Sequence, residues 1–86
     1  MLVIATDVDH AAVDWGTDRQ RALGRVTLAE MRRYAADGQF AAGSMGPKVD
    51  AAVRFVAGGG PRSVITSLSH ITDAVEGGFG TVIEPG

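Results

Sequence analysis

Eighty-six residues suffice for one small domain, whose surface-to-volume ratio allows only modest stability. An apolar share of 45% suits a chain that buries a core. A net charge of -2 removes the electrostatic case for nucleic acid or an anionic membrane surface as partner. With no cysteine there is no disulfide framework, no thiolate nucleophile and no cysteine metal site. Met1 to Ala5 run directly into Asp7 and Asp9, without the charged lead and apolar length of a signal peptide. No apolar run approaches the roughly 20 residues of a membrane span, so the expected location is the cytoplasm.

Leu2-Val3-Ile4-Ala5 is a continuous apolar run of strand type, closed by Thr6-Asp7-Val8-Asp9. A strand apolar on both faces belongs inside a parallel sheet, which fits a piece of something longer. Ala11 to Trp15 reads as a short ribbon, and the polar stretch Thr17 to Arg25 as an exposed loop. Thr27-Leu28-Ala29-Glu30 is a capping box, in which a threonine cap and a glutamate three residues on satisfy two backbone donors reciprocally. It opens a helix predicted near 27–37 that stops at Asp37-Gly38. A second helix is predicted over 47–57 and is terminated by Gly58-Gly59-Gly60. Strands near 62–66 and 80–84 flank a third helix near 68–76, capped by Ser67. Strand and helix alternate, so the predicted fold class is α/β, a small three-layer unit with a mostly parallel sheet.

The most informative stretch is Gly43-Ser44-Met45-Gly46-Pro47-Lys48-Val49. Proline is best tolerated in a first helical turn, so the stretch delivers a helix N-terminus with free N–H groups and the positive end of the dipole. Lys48 adds a cation where one is mildly unfavourable. A nearby anion, typically phosphate, removes that conflict; the alternative is a solvated lysine on an ordinary capped helix. Ligands in open α/β sheets bind at the carboxyl ends of strands. Thr6, Asp7 and Asp9 end one strand, Thr66 and Ser67 another, and the Gly43–Lys48 turn is expected to open on the same edge, giving one crevice. His10 and His70 lie on separate elements without a third ligand at metal spacing, so no metal site is predicted.

Thr6-Asp7-Val8-Asp9, Val26-Thr27-Leu28-Ala29-Glu30, Gly38-Gln39-Phe40, the Gly43–Val49 turn, Ala51-Ala52-Val53-Arg54-Phe55-Val56 and Ile65-Thr66-Ser67-Leu68 stand in the order found in carbamate kinases. The chain resembles that family, within the amino-acid kinase superfamily, over essentially all of its length. Gly-Ser-Met-Gly-Pro-Lys is the most specific element. One departure is Ala42, where the family commonly carries proline, a change in loop stiffness rather than chemistry.

The resemblance implies a single partial domain over 1–86, the C-terminal, ATP-side half of the fold. Its reaction is reversible transfer of a phosphoryl group between ATP and carbamate, giving ADP and carbamoyl phosphate, with Mg2+. Lys48 resembles the family lysine that meets the nucleotide phosphates, and is the implied catalytic residue. Thr6, Asp7 and Val8 fall on the nucleotide-side strand end. Tyr34 and Phe40 resemble the edge of the adenine pocket, with core packing as the alternative. Gly43, Ser44, Met45, Gly46 and Pro47 complete the implied nucleotide site, the glycines and serine by backbone approach, Met45 and Pro47 by apolar contact. The glycine-rich loop, the substrate subdomain and an aspartate–lysine pair are not in this sequence. The chain alone is therefore expected to be inactive, to pair with a separate N-terminal kinase lobe, and to self-associate. The alternative is a stand-alone nucleotide-binding or assembly module without phosphotransfer.

Overall fold

A computed structural model describes residues 1–14, 16–40, 45–75 and 79–86. The apolar run at the start forms β1 (Leu2–Thr6). A ribbon follows, β2 (Ala12–Val13) antiparallel to β3 (Arg21–Ala22), and then β4 (Arg25–Thr27), which leads straight into α1 (Leu28–Ala36). Next come α2 (Met45–Ala57), β5 (Ser63–Ser67), a 3-10 turn (Leu68–His70), α3 (Ile71–Val75) and β6 (Thr81–Glu84).

The main sheet has the order β1-β5-β6-β4. β1 runs parallel to β5 and β4 parallel to β6, while β5 and β6 are antiparallel. The sheet is thus mixed, with two of its three pairings parallel. Register sorts the side chains. Ile4 lies opposite Ile65, Val26 opposite Ile83, and Ser63 opposite Ile83, so these share one face. That face packs under Met31 of α1 and Val49, Ala52 and Val56 of α2 in a single cluster. The other face joins Val64 and Val82 to Ala74 of α3. Helices therefore cover both sides, in the three layers expected.

Local chemistry explains the elements. The Thr27 hydroxyl accepts from the Glu30 N–H at 3.1 Å and a Glu30 carboxylate oxygen accepts from the Thr27 N–H at 3.0 Å, closing the capping box. β5 is central and buried at all five residues, and the Ser63 hydroxyl satisfies itself by donating to the Ala52 carbonyl at 2.9 Å. Gly80 enters β6 at φ +94°, where an added Cβ would stand 2.6 Å from the Ile65 carbonyl oxygen, so only glycine fits.

Three boundaries differ from the sequence reading. The stretch from Thr17 to Arg25 is not wholly an exposed loop: it carries β3, the start of β4, and Leu23, which is buried. Its hold is polar as well as apolar. The Leu23 N–H bonds the Ala11 carbonyl at 2.8 Å, while the buried Thr81 hydroxyl accepts from the Ala11 N–H at 2.9 Å and donates to the Leu23 carbonyl at 2.6 Å. α2 starts at Met45 rather than Pro47, because proline fits any position of a first turn. The third helix divides into the 3-10 turn and α3.

Candidate functional site

β1 and β5 are parallel neighbours, so their carboxyl ends lie side by side with Thr6 opposite Ser67. Because partners in register share a face, Thr6 and Ser67 both point to the α2 side of the sheet. α2 brings its first turn to the same place. The Lys48 ammonium donates to Thr6 Oγ1 at 2.7 Å, and Thr6 Oγ1 in turn donates to Asp7 Oδ1 at 3.1 Å. Thr6 is buried, Lys48 half-buried and Asp7 exposed, so the chain of hydrogen bonds runs from the protein towards solvent. The N–H groups of Met45 and Gly46 belong to the first turn of α2 and have no partner within the helix, Pro47 carrying none.

A second polar group extends the crevice along the strand ends. Ser67 Oγ lies 2.9 Å from His70 Nδ1, and Asp9 Oδ1 lies 3.3 Å from the same nitrogen. The Ser67 hydroxyl holds the Asp9 carboxyl below its ordinary range, opposed by desolvation and assisted by the charges of His70 and His10. The His70 ring stacks on Phe79 at 4.1 Å between centroids, and His10 meets the same ring at 5.1 Å. Sequence reasoning placed Asp9 and Ser67 on this edge but missed their link through His70. The spacing Ser-x-x-His at the end of a strand was the available signal.

The structure sorts the remaining expected residues. Thr66 does not line the crevice: it alternates with Ile65 and Ser67, faces the α3 side, and is fully buried, its hydroxyl without a partner among the described residues. Val8 is half-buried in the turn after β1. Tyr34 and Phe40 pack at the margin of the main core, and the Tyr34 hydroxyl accepts from Arg21 at 3.2 Å. Phe40 also lines a groove of about 440 Å³ between α1 and α2 that reaches Gly46, past Val49 and Val53. Gly43 and Ser44 lie outside the described residues, as does Ala42.

A lysine on a helix N-terminus, seated at the carboxyl ends of two parallel strands, is an arrangement for binding an anion. The amino acid kinase family model matches residues 1–67. This chain belongs to the amino acid kinase family. Among its relatives, a carbamate kinase of Thermococcus kodakarensis is 48% identical over 96% of this chain and 26% of its own length. A carbamate kinase of Staphylococcus haemolyticus is 50% identical, again over 96% of this chain, and 27% of its own length. Among solved structures, carbamate kinase from Giardia lamblia bound to AMP-PNP superposes with a TM-score of 0.95 at 45% identity, over 99% of this chain and 30% of that one. The chain thus spans little more than a quarter of the carbamate kinases it matches in sequence. Among the described residues, no helix is long and apolar enough to cross a membrane.

Proposed function

We propose that this chain is the C-terminal, nucleotide-binding portion of a carbamate kinase, working in the cytoplasm and holding the phosphates of ATP or ADP. The observation that carries this reading is the Lys48 ammonium, fixed 2.7 Å from Thr6 at the first turn of α2 and beside two strand ends. The relative of known structure that binds AMP-PNP, an ATP analogue, supports the choice of ligand. In this reading Lys48 and the first-turn N–H groups of Met45 and Gly46 meet the phosphates, together with Ser44 and Gly43. Thr6, Asp7 and Val8 border the ribose and phosphates. The groove from Gly46 to Phe40 receives the base, with Met45, Pro47 and Tyr34 at its margin. Mg2+ enters on the phosphates as their counter-ion.

Phosphoryl transfer requires cations at both ends of the migrating group. Lys48 would supply one, placed on a rigid helix so that its charge meets the negative charge that grows in the transition state. The other end belongs to residues outside this sequence, so the chain by itself is inactive in this proposal. The sheet offers a place for them. β1 is an edge strand with an apolar sequence and none of the lysines or prolines that guard exposed edges. Its Leu2 N–H bonds the Arg62 carbonyl towards β5, so the amides of Val3 and Ala5 point the other way. The opposite edge, β4, is three residues long and guarded by the Arg25–Glu84 ion pair at 2.9 Å. An N-terminal kinase lobe would add its strand to β1; without it, a second copy competes for the same edge.

Calorimetry tests the phosphate contact. Half a cleft buries less ligand, so ADP is expected to bind at ~0.1 mM or weaker. Lys48→Ala should weaken ADP strongly and adenosine little. Equal losses for the two ligands, or micromolar ADP affinity, would overturn the half-site reading.

A further inference from the structure

The Lys48–Thr6–Asp7 contact has a fixed direction. An ammonium can only donate, so Thr6 Oγ1 accepts from Lys48 and its single proton goes to Asp7. Among the described residues no carboxylate forms an ion pair with Lys48; the ion pairs are Arg25–Glu84, Arg54–Asp50 and His70–Asp9. Asp7 is thus reached through a hydroxyl rather than directly. Thr6 is itself immobilised, at the end of β1 and in register with Ser67. Among the described residues one of the three ammonium protons is used, leaving two for a ligand.

We infer that Thr6 is a positioning residue, a hydroxyl spacer that anchors the Lys48 ammonium at the crevice while keeping it from collapsing onto Asp7. This rests on the proposal that Lys48 meets phosphate, and adds what keeps the lysine available. A lysine neutralised by a direct carboxylate partner has to give up that partner before it can take an anion. A lysine held by a neutral hydroxyl keeps its full charge and loses little side-chain freedom when phosphate arrives. The hydroxyl, rather than the methyl or the backbone of Thr6, is the working part.

The test separates the hydroxyl from the shape. Thr6→Val keeps the volume and removes the acceptor, whereas Thr6→Ser keeps the acceptor. With ADP and adenosine as probes on the 86-residue chain, Thr6→Val should lose roughly tenfold in ADP affinity, the scale of one charge-assisted hydrogen bond. Adenosine affinity should fall far less than ADP affinity, and Thr6→Ser should retain most of the ADP affinity that Thr6→Val loses. Nuclear magnetic resonance of the Lys48 ammonium gives a readout without ligand: its protons should exchange faster with water in Thr6→Val and not in Thr6→Ser. An ammonium whose exchange ignores Thr6→Val overturns the anchoring, whatever the binding data. ADP affinity equal to native in Thr6→Val, equal losses for ADP and adenosine, or Thr6→Ser as weak as Thr6→Val overturns the spacer role. If Lys48→Ala leaves ADP binding intact while the exchange effect holds, phosphate contact itself is refuted and the spacer's purpose falls with it.

Discussion

The two faces of the sheet are built to different standards. On one, α1 and α2 cover a continuous core from Ala11 and Val13 through Met31, Val49 and Val56 to Ile65 and Ile83. On the other, among the described residues Ala74 of the five-residue α3 is the fully buried helical residue packed on Val64 and Val82, while Leu68 and Val75 remain 73% and 50% exposed. Thr6, Ser67 and Lys48 all belong to the thick face. Binding groups held on well-packed elements stay in place, which suits the role proposed for Lys48. The thin face carries the more exposed apolar side chains, Leu68 and Val75.

Core truncation is the harshest way to challenge this contrast. Ile65→Ala on the thick face should cost about 2–5 kcal/mol, through lost transfer energy and a residual cavity. Val64→Ala, its neighbour on the thin face, should cost about 2 kcal/mol, since less surrounds the hole. Paired denaturant titrations decide the matter, and equal losses would remove the distinction between the faces. Below these in size is the cap of α1: Thr27→Ala should cost about 1 kcal/mol.

The same cap carries a pH signature. Hydrogen bonds from the Thr27 backbone and then its side chain hold the Glu30 carboxyl below its ordinary value of 4.5. A carboxyl depressed in the folded state contributes fully above 4.5 and loses that contribution as the pH falls through the lower folded value. Stability should therefore drop in acid below that point, and Glu30→Gln should flatten the drop in a thermal-melt series across pH. An unchanged acid limb would assign it elsewhere. The smallest effect expected is Lys48→Ala on stability: among the described residues the lysine side chain makes one hydrogen bond, at a part-buried site, so the melting temperature should barely move while ADP binding collapses.

Much of this was legible in the chain because local rules and tertiary packing agree. The capping box fixed the start of α1, the apolar runs fixed β1, β5 and β6, and Pro47-Lys48 marked a helix N-terminus. What escaped depends on contacts distant in sequence. β4 has a single apolar residue, Val26, and forms because β6 lies beside it. The β2–β3 ribbon is anchored by Thr81, which is 58 residues from Leu23, so no window along the chain contains the pair. In the crevice, the strand-end rule placed Thr6 and Ser67 correctly but misplaced Thr66, because side-chain alternation turns every second residue to the opposite face. His70 was hidden by its own ordinariness: one histidine after a Leu-Ser pair signals little until Asp9 is brought beside it.

The claim that this chain is the nucleotide half of a kinase is tested most directly by complementation. ATP formation from ADP and carbamoyl phosphate is measured for the chain alone, and again after mixing with the preceding portion of a related carbamate kinase. The account predicts no turnover by the chain alone, turnover on mixing, and a markedly lower rate when the mixed chain carries Lys48→Ala. Clear turnover by the unmixed chain, or full complementation by the Lys48→Ala chain, would contradict it.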